Sequence, residues 1–273
     1  MPEKPEVITV VKALKQKVLE TTIKDVNVYW NNIIAGIDIK DFKEKLLGQT
    51  IYDITTRGKW IVFHLDDYVL LTHLRMEGKF MFRKLGDELN KHEHVVFLLD
   101  DNVEMRFHDV RKFGKMYLLN KDNYLNEIPL KDMGYEYNDK NLTSDYLLDK
   151  FSKKSIPIKT SLLDQTIITG IGNIYDDEIL FLSKINPIRK SNTITKEECQ
   201  KIIDNTNVVL DKAIKLGGTT IKSFTSSEGV HGLFQNELLV HGKKNDYCPN
   251  CNTKIEVIKI GGRSTYYCPK CQL

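Results

Sequence analysis

A chain of 273 residues with 41% hydrophobic and 28% charged content has the material for two domains with real cores, or for one large one. No apolar run reaches the ~18 residues a membrane span needs and the start of the chain lacks a secretory h-region, so a cytoplasmic protein with no membrane partner is expected. The net charge of +3 is too small to declare a nucleic-acid partner by itself, but 33 of the 40 basic residues are lysines, so each of the seven arginines marks a place where a planar, bidentate fork could matter.

The chain opens Met1-Pro2-Glu3-Lys4-Pro5-Glu6. Removal of Met1, which a small second residue permits, would leave a secondary amine on Pro2. An α-amino group titrates near ~7.7–8.0, so a useful fraction is neutral at pH 7 and can attack an electrophilic carbon. Glu3 places a carboxyl group beside that nucleophile for proton transfer. An ordinary frayed terminus accounts for the same residues. From Pro5 onward, Val7, Val10, Val11, Leu14 and Val18 keep helical spacing, and this helix would hold the N-terminus in place.

Segments of strand character follow: Thr22–Tyr29, Thr50–Thr55, Lys59–Leu65, Tyr68–Leu74, Lys79–Arg83, His94–Leu99, Val103–His108 and Lys115–Leu119. A short helix, Ile39–Leu47, interrupts them and stops at Gly48. Many short strands with polar turns predict an antiparallel sandwich behind a leading helix. The stretch Asn126–Thr143 is polar, lacks apolar periodicity and reads as a linker or hinge. Beyond it the pattern is helical: Thr143–Phe151, Ser161–Thr169, Asn173–Lys184, and Thr195–Leu216, which opens on Thr195 and Glu198 in capping-box spacing and ends at Gly217-Gly218. Gly170-Ile171-Gly172-Asn173 sets two glycines and an asparagine cap before a helix, which fits an anion site and equally an ordinary N-cap. Cys199 falls on a helical pattern and reads as a small buried apolar residue.

At the C-terminus, Cys248-Pro-Asn-Cys251 and Cys268-Pro-Lys-Cys271 form two Cys-x-x-Cys knuckles 16 residues apart. Together they supply four thiolates for one tetrahedral Zn2+, with no position left open, so the metal is expected to be structural. Lys254–Ile260 and Ser264–Tyr267 alternate around Gly261-Gly262-Arg263, a hairpin with Arg263 at or beside its tip. That arginine suits a phosphate contact or an ordinary solvated turn.

Taken in order, these stretches resemble the formamidopyrimidine-DNA glycosylases, bacterial repair enzymes for oxidised purines. The resemblance rests on Pro2-Glu3 with Pro5-Glu6-Val7, the Lys59 strand, His73–Gly78, Lys91–His94, Asp109–Gly114, Gly170–Glu178, Gly217–Thr220 and the four-cysteine finger with Arg263. It covers nearly the whole chain. It implies an α+β fold: an N-terminal antiparallel β-sandwich domain with a leading helix (1–130), a linker (131–145), a helix–two-turn–helix module (146–237) and a zinc finger (238–273), with duplex DNA held in a cleft between domains.

The resemblance also implies a chemistry. The damaged nucleotide is flipped out of the duplex. The Pro2 nitrogen attacks the sugar's anomeric carbon, Glu3 donates a proton as the base leaves, and elimination then breaks the strand. Lys59 and Arg263 correspond to proton donors for the two eliminations, or to phosphate clamps. Met76, Arg111 and Phe113 match the residues that fill the space left by the flipped base, with Arg111 reading the orphaned cytosine. His92, Lys154 and Asn173 carry over as DNA contacts, His73 as a further phosphate partner, and Thr219–Gly232 as a loop closing on the damaged base. A monomer acting on double-stranded DNA containing oxidised bases is expected.

Four positions depart from the family's pattern: Lys4, where leucine is usual; Ile8, where an acid is common; Asp176, where a small or apolar residue is typical; and His241, where a phosphate-touching tyrosine is expected. Two other readings remain. An endonuclease VIII-type enzyme would run the same chemistry on oxidised pyrimidines, against which stand Met76, Arg111, Phe113 and the Gly217–Thr220 run. A catalytically inactive binder of damaged DNA would have no need of the Pro2-Glu3 pair.

Overall fold

The computed structural model describes residues 1–219 and 232–273. The expected closing loop falls almost wholly on 220–231, outside the described residues. Met1–Lys131 form one compact unit, and Asp132–Thr219 with Leu233–Leu273 form a second.

In the first unit, helix α1 (Lys4–Val18) starts from Glu3 as N-cap, with Pro5 in its first turn and Lys15 and Lys17 in its last. Val7, Val10, Val11, Leu14 and Val18 form its buried stripe. Two antiparallel four-stranded sheets follow. One orders β2 (Asp53–Arg57), β3 (Trp60–His64), β4 (Tyr68–His73) and β8 (Lys115–Asn120); the other orders β1 (Asp25–Val28), β6 (Glu93–Leu98), β7 (Val103–His108) and β5 (Lys79–Lys84). Their inner faces and α1 share one core, which includes Ile54, Ile61, Phe63 and Leu70 from the first sheet and Val26, Phe80, Phe97 and Phe107 from the second. Phe63 meets Phe80 edge-on at 5.6 Å across the sheets, and Phe80 meets Phe107 at 5.4 Å. Each such pair contributes ~0.5–1.5 kcal/mol beyond the area it buries. Helix α2 (Ile39–Leu46) is capped by Asp38, whose Oδ1 accepts from the Lys40 N–H at 2.7 Å.

β1 and β2 begin three residues later than the sequence predicts. Carboxylates intercept the backbone there: the Thr22 N–H donates to Asp100 at 2.6 Å and the Thr50 N–H to Asp66 at 2.5 Å. What remains between them is an isolated Thr22–Thr50 bridge.

In the second unit, α3 (Ser144–Ser152) is capped by Thr143, and α6 (Lys196–Lys215) by a Thr195–Glu198 capping box. Helix α5 (Asn173–Ser183) is buried nearly all round and packs on α6 and on the short α4 (Ile158–Leu162). The helix predicted over Ser161–Thr169 is not formed beyond Leu162. Asp164 stops it, its Oδ1 accepting from the Thr166 N–H at 3.0 Å and from the Thr166 hydroxyl at 2.7 Å. The polar stretch read as a linker is packed from Asp132 onward: Tyr137 and Leu142 are buried, and the Tyr137 hydroxyl donates to Asp211 at 2.8 Å. The finger's hairpin pairs β9 (Glu256–Ile260) with β10 (Arg263–Tyr267). Its two turn residues, Gly261 and Gly262, have φ of +54° and +76°, which glycine adopts without strain.

Candidate active site and nucleic-acid interface

The chain's start is built into the first unit. The Glu3 N–H donates to Glu6 Oε2 at 2.9 Å, and the two residues complete a reciprocal capping box. Pro2 and Glu3 are buried, and Lys4 is tied to β2 by a 2.8 Å bond from its Nζ to the Thr56 hydroxyl. The free amine here is that of Met1, one residue ahead of the nitrogen that processing would expose. Burial lowers its pKa; Glu3 and Glu6 pull it back up, and the cations of Lys59 and Arg111 push it down. Four charged side chains are thus gathered around the chain's first atoms, three of them expected from sequence.

Lys59 is buried at the start of β3, and the register Trp60–His73 brings that end of β3 beside the end of β4. His73 sits there, 8% exposed, with its ring edge against Trp60 at 4.8 Å. Its Nδ1 accepts from the Arg75 N–H at 2.9 Å, so the ring proton lies on Nε2. Burial, helped by the charges of Arg75 and Lys59, brings its pKa down to about 3. The side chain expected at a phosphate therefore offers a neutral N–H donor at pH 7 rather than a charge.

The next turn carries Met76, half-buried. Gly78 closes it so tightly on β4 that a Cβ there would lie 2.6 Å from the Leu74 carbonyl oxygen. Across the unit, the turn between β7 and β8 holds Arg111 and Phe113, both exposed, with the guanidinium 4.7 Å from the ring centroid. Arg75 and Lys112, beside Met76 and Phe113, have φ of +53° and +57°, a left-handed backbone that re-aims the chain at both turns. Trp30, Asn32, Arg75, Lys112, Phe113 and Lys115 line a cavity of about 470 Å³ there, with the Lys112 ammonium 4.0 Å from the Trp30 ring centroid. His92 stands on the Asp87–Glu93 connection, its ring 5.7 Å from that of His108. Buried Arg106 anchors that connection through Glu93 Oε2 at 2.8 Å and the Asp87 and Glu88 carbonyls at 2.8 and 3.0 Å.

In the second unit, Asn173 is not the cap expected of it. Gly172 occupies that position, and Asn173 is the first helical residue. Its Nδ2 donates to the Ser264 carbonyl of the hairpin at 2.9 Å, while its Oδ1 is buried without a hydrogen bond among the described residues. Four residues on, Asp177 is ion-paired with fully buried Lys159, lies 2.7 Å from His241 Nδ1, and accepts from the Tyr266 N–H at 3.3 Å. His241 is thereby tied inward, its ring edge against Tyr266. Asp176 is also buried rather than facing a phosphate. The charge of Asp177 is met inside the unit by Lys159. Lys154 is ion-paired with Asp164 at 3.0 Å, each about a third exposed. Arg263 is exposed as the first residue of β10, directly after the turn.

The four finger cysteines hold their Sγ atoms within 4.8 Å of one another, with Cys248–Cys271 at 3.8 Å and Cys251–Cys268 at 3.5 Å. These separations are far beyond a disulfide bond. They match the edges of a tetrahedron with metal–sulfur bonds of about 2.3 Å, whose sulfurs stand about 3.8 Å apart. The Thr253 hydroxyl and N–H hold the Cys251 thiol down to about 6, while burial pushes the Cys268 thiol up and the Cys271 thiol up to about 12.

Residues 1–116 match the profile of the formamidopyrimidine-DNA glycosylase N-terminal domain, residues 133–225 that of its H2TH domain, and residues 245–273 a zinc finger found in FPG and IleRS. A formamidopyrimidine-DNA glycosylase of Bacillus cereus is 44% identical over the whole chain and 99% of its own length, and that of Bacillus subtilis 42% over the same shares. The chain belongs to the formamidopyrimidine-DNA glycosylase family. Members of this family are DNA repair glycosylases with AP lyase activity, and the α+β fold here is theirs. Lactococcus lactis Fpg in complex with DNA containing N7-benzyl-Fapy-dG superposes with a TM-score of 0.91 at 36% identity, covering 99% of both chains. The same protein bound to DNA containing an abasic site gives 0.91 at 35%, again over 99% of each. Beside these glycosylase motifs, sequence reasoning missed Trp30, Asp109, Lys159 and Asp177. Asp109 and Asp177 stood inside quoted motifs, Asp109–Gly114 and Gly170–Glu178, and no spacing there hinted at the partners they hold.

Proposed function

We propose that this chain is a bifunctional glycosylase and lyase that excises oxidised purines, 8-oxoguanine and formamidopyrimidines, from duplex DNA. The observation that supports it best is geometric: Pro2 and Glu3 are buried at the start of the chain, and the charges of Glu3, Glu6, Lys59 and Arg111 act on its first atoms. With Met1 removed, the Pro2 nitrogen attacks C1′ of the flipped nucleotide. The N-glycosidic bond breaks, the base leaves with the bonding pair, and Glu3 supplies a proton to the opening sugar. The iminium so formed acidifies the C2′ hydrogen. Its loss expels the 3′ phosphate, and a second elimination expels the 5′ phosphate, with Lys59 and Arg263 donating protons to the two steps. Met76, Arg111 and Phe113 occupy the vacated stack, Arg111 against the orphaned cytosine. His73, His92, Lys154 and Asn173 hold the backbone. Four thiolates, from Cys248, Cys251, Cys268 and Cys271, suit one structural zinc ion that rigidifies the hairpin carrying Arg263.

Borohydride reduction during reaction with an 8-oxoguanine duplex tests the covalent step. A protein–DNA adduct is expected from the processed chain and none from Pro2→Gly, with base excision impaired. Lesion binding without any adduct would assign the chain to the inactive binders, and adducts formed only with oxidised pyrimidines to the endonuclease VIII type.

A further inference from the structure

The turn between β7 and β8 is organised by a side chain that touches no proposed substrate atom. Asp109 is fully buried. Its Oδ1 accepts from the Arg111 N–H at 3.0 Å, and its Oδ2 from the Phe113 and Gly114 N–H groups at 2.9 and 2.8 Å. Its own N–H donates to the His92 carbonyl at 2.9 Å, and its carbonyl accepts from His94 Nε2 at 2.8 Å. One residue therefore ties the backbone of the Arg111–Gly114 turn to the His92 connection.

The turn needs such a tie. Arg111 and Phe113 point their side chains into solvent, so no apolar burial of their own holds them, and an unrestrained turn would have to be ordered when DNA arrives. Because the Arg111 fork is stacked on Phe113, its direction follows the backbone that Asp109 grips. A bidentate contact to a base edge tolerates little displacement.

We infer that Asp109 is a positioning residue for opposite-base selection, acting through Arg111; this rests on the reading of Arg111 given above. Asp109→Asn keeps size but replaces one acceptor oxygen with an NH₂ donor, facing it against a backbone N–H. Excision by the full-length protein is measured on duplexes with 8-oxoguanine opposite cytosine and opposite adenine, for wild type, Asp109→Asn, Arg111→Ala and the double variant. The cytosine-to-adenine rate ratio is expected to fall about tenfold in Asp109→Asn, the scale of losing a charged hydrogen bond. In the Arg111→Ala background, Asp109→Asn should lower the ratio no further. A wild-type ratio in Asp109→Asn, or an equal slowing on both duplexes, overturns the inference. An unchanged ratio in Arg111→Ala overturns the reading of Arg111, and this inference with it. Should Asp109→Asn fail to fold, amide exchange of the wild type decides: the Arg111, Phe113 and Gly114 amides are expected to be protected without DNA, and exchange at the open-chain rate refutes the tie.

Discussion

His73 shows what burial does to a single imidazole at the end of a strand. With its pKa at about 3 against 6.5 for a free side chain, the folded ring stays neutral over a range in which the unfolded ring takes up a proton. Its folded pKa is the lower one, so its contribution to stability is complete above pH ~6.5 and is lost as pH falls from there toward 3. The size is on the order of a few kcal/mol across that window, because the ring is buried and solvent screens it little. His73→Gln is therefore expected to flatten the acid limb: the melting temperature of the wild type should drop more steeply between pH 7 and pH 4 than that of the variant. Parallel curves would show that the ring is not held neutral. As a neutral donor at pH 7, His73 offers a phosphate one hydrogen bond and no charge.

At the scale of elements, the finger is gripped by α5 as well as by its cysteines. Asn173 and Asp177 stand four residues apart on the helix and bond the backbone of Ser264 and Tyr266, two apart on β10. The spacings agree: four helical residues rise about 6 Å and two strand residues about 6.6 Å. Three backbone N–H groups, those of Leu239, Val240 and His241, converge in turn on the Glu178 carboxylate at 2.8, 3.0 and 2.8 Å. The knuckles rest on Phe181 of the same helix and on Val240. A finger read alone is too small to hold itself without metal; here it has a second anchorage. Cys268→Ser is accordingly expected to empty the site in metal analysis and to speed amide exchange in β9 and β10, while α5 and α6 keep their protection. Freshly purified wild-type protein lacking zinc would refute the metal assignment. Loss of protection throughout α5 would show that the brace depends on the metal rather than standing beside it. The brace also explains why Asn173 looked like a cap in sequence: its hydrogen-bond partner lies 91 residues away, beyond any local pattern.

Across the whole molecule, what could be read in advance was what repeats locally. The strand segments, the α1 stripe, the Thr195–Glu198 box and the cysteine spacing are each local signals, and each stands in the structure, with β1 and β2 starting three residues later than predicted. What escaped reading depends on partners distant in the chain or on backbone atoms. Tyr137 finds Asp211 across 74 residues and turns a supposed linker into packed structure. Lys159 is fully buried against Asp177, although a lysine is ordinarily a surface residue. Asp109 acts on amides that every residue carries.

Charge follows the same logic. A net +3 cannot by itself hold a duplex, so attraction to DNA must come from individual cations in place. Lys154 is suited to that task, since its partly exposed pair with Asp164 contributes little and can be exchanged for a phosphate at small cost. Each phosphate neutralised by a cation steepens the dependence of log K on log salt by about 0.9. Lys154→Ala should therefore weaken binding to an abasic-site duplex and make that slope shallower by about one. His73→Gln should weaken binding with the slope unchanged, because a neutral ring displaces no counterion. An unchanged slope in Lys154→Ala would remove that lysine from the interface, and a shallower slope in His73→Gln would mean that DNA protonates the ring on binding.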